Sequence, residues 1–189
     1  IQVQLTQSWD VLSTLTPADY MTFRDVLGTA SGFQSHQYRL IEFTLGNKNP
    51  AMLMPHRHDA ETHAVLSAAL EAPSLYEETI LLLARRGLGI DAGQAKRDWR
   101  DVHQPDDSVR RAWLTIYRDT ESHWDLYELA EKLVDLEDHF QQWRFHHVST
   151  VERVIGHKRG TGGTSGVPYL RRALETRFFP ELWDVRTEL

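Results

Sequence analysis

The stretch from Ser122 to Gly156, SHWDLYELAEKLVDLEDHFQQWRFHHVSTVERVIG, decides the fold. Its apolar residues, with one histidine among them, fall at Leu126, Leu129, Leu133, Leu136, Phe140, Trp143, His147, Val151 and Val154. Steps of three and four dominate, which puts these side chains on one face of an α-helix of about 34 residues. A helix this long with an unbroken apolar stripe belongs in a helical bundle.

Working outward, the same period recurs on both sides. Thr16-Pro17-Ala18-Asp19 reads as a helix start, with Thr16 as N-cap, Pro17 in the first turn and an acid at the positive end of the dipole. That helix carries Tyr20, Phe23, Arg24 and Leu27, and Gly28 to Gly32 breaks it. A further helix is expected from Phe33 to Leu45, stopped by Gly46 and Asn47. Asn49 to His58 reads as a loop, Asp59 to Ala72 as a helix, and Pro73 to Gly87 as another. A short element is expected around Gln94 to Val102, and Asp106 or Asp107 caps a helix to Asp119. After the long helix comes Gly160-Thr161-Gly162-Gly163-Thr164-Ser165-Gly166, then a helix over Val167 to Phe178 and a short tail containing Trp183. No alternating strand of useful length occurs. The expected fold is all-α, with residues 1–189 forming a single domain.

Composition narrows the function. The 189 residues are 41% hydrophobic and 25% charged, so wholesale disorder is excluded. There is no cysteine, which removes disulfide scaffolds, thiolate ligation and thiol nucleophiles. Lys plus Arg total 21 against 27 Asp plus Glu, a net charge of −6 that argues against a partner such as nucleic acid or an anionic membrane surface. No apolar run approaches the ~20 residues a membrane helix needs. The chain opens at Ile1 already in a periodic pattern (Ile1, Leu5, Trp9, Leu12), so residues upstream are expected to be missing.

A few positions could carry chemistry. His147 shares the apolar stripe with Trp143 and Val151, one turn away on either side. Such an imidazole is either a core histidine bonded to a backbone carbonyl or a metal ligand whose other nitrogen is oriented by the protein. His146 points about 100° away, toward the surface. Tyr20 and Arg24 share a helix face, where a guanidinium fork and a phenol could hold a carboxylate, or Arg24 could simply pair with an internal acid. The four glycines of residues 160–166 could cradle an anion with backbone amides. That run follows a helix rather than a strand and has no Lys-Ser/Thr ending, so it is no nucleoside-triphosphate loop. His56, His58 and His63 lack the spacing of a helical zinc motif.

Two long motifs, in order, resemble one family. Tyr20-Met21-Thr22-Phe23-Arg24-Asp25-Val26-Leu27, Ala30-Ser31-Gly32-Phe33-Gln34-Ser35 and Gln37-Tyr38-Arg39, with Glu42 and Gly46, resemble the first half of the tryptophan 2,3-dioxygenase signature. Trp143-Arg144-Phe145-His146-His147-Val148, Arg153-Val154-Ile155-Gly156 and Lys158-Arg159-Gly160-Thr161-Gly162-Gly163-Thr164-Ser165-Gly166 resemble the second. The resemblance, closest to bacterial members, implies an all-α haem-binding dioxygenase fold. It implies opening of the indole ring of L-tryptophan by O2 to give N-formyl-L-kynurenine, with haem b as cofactor. His147 is then the proximal iron ligand. Arg24, Tyr20 and Thr161 would bind the substrate, and Trp9, Ser31 and Tyr38 would line the cofactor. A cytoplasmic homotetramer, a dimer of dimers, is also implied. The family's upstream His-Gln and Glu-Leu-Trp motif has no match here. The chain therefore reads as the C-terminal two-thirds, with the distal histidine expected before Ile1 and no catalytic residue assigned. Two alternatives remain on the sequence: a haem monooxygenase of aromatic amino acids or indoles on the same scaffold, and an inactive truncated helical core.

Overall fold

The computed structural model describes residues 14, 16–19, 22, 32–101, 103–156 and 167–189. Trp9, Tyr20, Arg24, Ser31 and Thr161 lie outside the described residues, as does the glycine-rich run. Every regular element among the described residues is helical. In order, α1 is His36–Leu45, α2 Ala60–Glu71, α3 Leu75–Arg85, α4 Ala92–Lys96, α5 Asp107–Arg118, α6 Trp124–Ile155, α7 Val167–Ala173 and α8 Pro180–Glu188. Two compact units emerge, one of residues 1–35 and 136–176, the other of 36–135 and 177–189.

Local chemistry explains most boundaries. The Thr16 start is present: the Asp19 N–H donates to Thr16 Oγ1 at 3.2 Å, and the Thr16 N–H donates back to Asp19 Oδ2 at 3.2 Å. Asp59, Ser74, Asp91 and Asp106 cap α2, α3, α4 and α5 with side-chain oxygens, and Ser74 and Glu77 complete a capping box. Gly46, at φ 134°, ends α1, and the N–H groups of Gly46 and Asn47 both donate to the Glu42 carbonyl.

Four boundaries differ from the sequence expectation. Residues 32–34 form a 3-10 turn ahead of α1 instead of its first turn. Asn49–His58 is no open loop, because Pro50–His56 is a 3-10 helix capped by the Asn49 side chain and carrying Pro55. The element expected to reach Val102 is confined to Ala92–Lys96. The helix expected to reach Phe178 stops at Ala173, and the tail is itself a helix, α8, opened by Pro180.

In the larger unit, Phe43 of α1 and Leu66 and Leu70 of α2 form a core flanked by Leu40, Met52, Leu53 and Ala69. Helix α8 packs on α5. Its Glu181 is 1% exposed, and the carboxylate accepts from the Tyr76 hydroxyl at 2.8 Å and the Asp106 N–H at 3.0 Å. The His103 ring stands edge-on to Tyr76, with centroids 4.5 Å apart, and its Nε2 lies 3.6 Å from Glu181 Oε1.

Burial, then the charge of Arg97, pushes His103 down to about 4, so it is neutral in the fold. An unfolded histidine titrates near 6.5, so the unfolded chain takes the proton first. The stability His103 contributes is complete above about pH 6.5 and drains away as the pH falls toward 4. Glu181, pushed up by burial, works in the opposite sense. The unfolding free energy of His103→Asn, followed by urea titration across pH 7 to 4, is expected to fall less steeply than that of the unsubstituted chain. An identical slope would contradict this assignment.

Candidate functional site

The long helix does not bury the whole stripe that the sequence suggests. Leu129, Leu136, Trp143, His147 and Val151 are only half-buried. The fully buried line runs through Leu126, Ala130, Leu133, Glu137, Phe140, Arg144 and Val148, with Glu137 and Arg144 both at 0% exposure. Reading apolar residue types alone skips these two charges, because charged residues are buried only where the fold supplies partners.

Arg144 shows how that is done. Its Nη1 donates to the Ala173 carbonyl at 2.8 Å and its Nη2 to the Thr176 carbonyl at 3.0 Å. The guanidinium also donates to Gln141 Oε1 and lies 5.1 Å from the Phe140 ring centroid. Gln141 Nε2 donates to the Leu174 carbonyl at 2.9 Å. Side chains of α6 thus intercept the carbonyls beyond α7, which is why that helix ends at Ala173. Farther along, Arg171 grips both carboxylate oxygens of Glu152, at 2.7 and 3.0 Å.

His147 stands one turn beyond Arg144, in an aromatic cluster. Its ring packs on Phe33, with centroids 4.7 Å apart and planes 24° apart, and on Trp143 at 5.7 Å and 16°. Phe33 and Trp143 are themselves 5.7 Å apart, so the three rings form a triangle. Trp143 also packs on Phe140, with centroids 5.8 Å apart and planes nearly parallel at 3°. Nδ1 of His147 is shut away from solvent, and burial pushes the ring down to about 4. The imidazole is neutral at pH 7, the state a metal ligand requires.

Opposite the Cε1–Nε2 edge stands Gly32, where a Cβ would come within 2.6 Å of Cε1 and 2.9 Å of Nε2. A neutral imidazole beside an aromatic wall that excludes water fits an axial haem ligand. Of these neighbours only Trp143 is legible from the sequence, one turn from His147 on the same stripe; Phe33, Gly32 and Arg144 stand in the motifs with nothing local to tie them to the ring. His146 is exposed, as its position on the helix requires.

Tyr38 is 3% exposed on α1, with its hydroxyl shut away from solvent and the Arg39 guanidinium 5.5 Å from its ring centroid. Arg39 is itself buried in an ion pair with Glu42. Tyr38 belongs to the larger unit and His147 to the smaller.

Hydrogen bonds from a charged donor contribute about 1.5–3 kcal/mol each, and stranding buried acceptors adds a penalty. Arg144→Met is therefore expected to lower the unfolding free energy by about 3 kcal/mol in urea titrations. A change below about 0.5 kcal/mol, the size of an ordinary surface substitution, would contradict the clamp.

A family model described as tryptophan 2,3-dioxygenase matches residues 1–115 and 110–189. The tryptophan 2,3-dioxygenase of Polaromonas naphthalenivorans is 58% identical over 189 residues, covering 100% of this chain and 67% of its own length. That of Paraburkholderia phytofirmans is 59% identical over 189 residues, 100% of this chain and 62% of its own. That of Burkholderia pseudomallei is 59% identical over 186 residues, 98% of this chain and 61% of its own. The chain thus spans 61% to 67% of the length of these relatives.

Proposed function

The chain belongs to the tryptophan 2,3-dioxygenase family, and from that premise we propose that it takes part in the haem-dependent opening of the L-tryptophan indole ring. In the net reaction, O2 adds across the C2–C3 bond, that bond breaks, and both oxygen atoms stay in N-formyl-L-kynurenine. The observation that carries this reading is the neutral, aromatic-walled His147 in a chain that matches the family along its whole length.

His147 would hold the iron of haem b from α6. Trp9, Ser31 and Tyr38 are carried over from the motifs as lining the cofactor. Haem, when bound, supplies the redox chemistry toward O2. The remaining work is positioning. Arg24 would grip the substrate carboxylate through a charge-assisted fork, helped by the Tyr20 hydroxyl, and Thr161 would hold the amino-acid end. Fixing that end presents the indole in one orientation, which lowers the entropic cost of reaction. Phe33 and Trp143 together shield one side of His147 from water. No residue among these 189 is assigned the distal role. Residues 1–189 are read as one domain of the family, and the working assembly as a homotetramer, a dimer of dimers. A cytoplasmic location goes with this reading. Among the described residues, no helix is long and apolar enough to cross a membrane.

Three measurements test the proposal, all in full-length protein. Visible spectra of His147→Ala should show loss of bound haem, whereas His146→Ala should retain it. Equal retention by both would remove His147 from the iron. Arg24→Ala should lose about 2–4 kcal/mol of transition-state binding, read from kcat/KM with tryptophan. An unchanged kcat/KM would overturn the carboxylate role. With isotopically labelled O2, two labelled oxygens should appear in a ring-opened product, while one oxygen on an intact ring would identify a monooxygenase.

A further inference from the structure

The larger unit holds a buried acid–base pair that the proposed chemistry does not use. Glu181, in the first turn of α8, is 1% exposed, and its Oε1 accepts from the Tyr76 hydroxyl at 2.8 Å and the Asp106 N–H at 3.0 Å. His103 Nε2 lies 3.6 Å from the same oxygen, too far for a hydrogen bond. That nitrogen is shut away from solvent and has no other partner. A neutral imidazole carries a hydrogen on one nitrogen and a lone pair on the other. Were the hydrogen on Nε2, a carboxylate oxygen this near would draw it into contact. The gap marks two acceptors facing each other, with room for one proton between them.

We propose that Glu181 and His103 form a pH-operated latch: one proton taken from water by the Glu181 carboxyl is shared with His103 Nε2 and fastens the segment entering α5 to α8. The surroundings decide which atom carries that proton. Burial, and after it the charge of Arg97, works against an imidazolium at His103. Burial also pushes Glu181 up, and the charge of Asp106 adds to the push. Asp106 itself is committed as the α5 cap: its Oδ1 accepts from the Ser108 and Val109 N–H groups at 2.8 and 3.2 Å, and it feels the charge of Arg111. Burial, then the charge of Glu181, pushes the Tyr76 hydroxyl far up, so it keeps its hydrogen. Once Oε1 is protonated, that hydroxyl is free to turn its hydrogen toward Oε2 while the Asp106 N–H stays in place. The latch closes as the pH falls through the raised range of Glu181. It fails at about 4, where His103 takes a proton of its own.

The test reads pH-difference infrared spectra of the full-length protein. A protonated-carboxyl band should grow in above the range of ordinary glutamates, about 4.3, and Glu181→Gln should remove it. In the same pH step, labelling with 15N-histidine should reveal a ring band that shifts while the ring stays neutral. His103→Phe should lower the midpoint of the carboxyl band by about one pH unit, a tenfold loss of proton affinity. The band should also move to higher frequency, because the O–H has lost its acceptor. A merely structural role predicts the opposite sign, since an apolar phenyl ring desolvates the carboxylate at least as well as an imidazole. His103→Gln, whose carbonyl oxygen accepts, should restore most of the midpoint. Hydrogen exchange of the α8 amides, corrected for pH, should be about fivefold slower with the latch closed than in His103→Phe, the effect of one hydrogen bond.

Four outcomes overturn the proposal: no carboxyl band above the ordinary range, a midpoint that stays or rises in His103→Phe, equal α8 exchange, or a histidine band that titrates apart from the carboxyl. The last is read in the unsubstituted protein, so it decides the matter even where His103→Phe does not fold.

Discussion

Arg144 has no exposed surface, and the placement of His147 depends on that burial. Moving a guanidinium out of water costs several kcal/mol, which only well-aimed acceptors offset. Here the acceptors are the carbonyls of Ala173 and Thr176 and the amide oxygen of Gln141. Because the guanidinium is planar and rigid, it fixes those carbonyls relative to α6 with few internal freedoms to lose. A lysine would offer a point charge on a flexible stem and could not bridge the same atoms. The clamp works in both directions: it ends α7 at Ala173 and anchors the turn of α6 from which His147 projects.

On that anchored turn the aromatic cluster does the electrostatic work. Packing against Phe33 and Trp143 strips water from the imidazole, and removing water disfavours the charged form, which pushes His147 down to about 4. The outcome is a neutral imidazole at neutral pH. Among the described residues, no group of three His, Asp or Glu side chains gathers as an alternative metal site. The chemistry proposed for this family member therefore converges on one ring, and Gly32 and Phe33 shape the space beside it.

The larger unit follows the same rule with different partners. Glu181 is buried, and it is served by the Tyr76 hydroxyl and the Asp106 N–H. Lys48 is buried, and its ammonium donates to the Ala72 carbonyl at the end of α2, with Glu77 at 4.0 Å. Arg39 and Glu42 bury each other. The Arg39–Glu42 pair lies within α1, whereas Glu181 and Lys48 tie segments that apolar contact alone would leave free to slide, because hydrophobic burial is non-directional and a hydrogen bond has a fixed geometry.

Apart from the 3-10 helix Pro50–His56 and α8, the amino-acid sequence by itself determined the described helices and their order, since period, caps and breakers act within a few residues of one another. Thr16, Asp59 and Gly46 do in the fold what their neighbours said they would. It also carried the family, because the motifs around Gly32 and His147 are contiguous strings. Only the tertiary structure decided which charges go inside. Glu137, Arg144 and Glu181 carry charges that no local pattern places inside, and they are among the most buried residues. The end of α7 and the close approach of Gly32 to His147 were decided there too. The reason is separation along the chain: Arg144 meets partners about thirty residues away, and Gly32 meets a ring more than a hundred residues away. Such meetings leave no mark in local periodicity, because each is created by packing rather than by the neighbours of either residue.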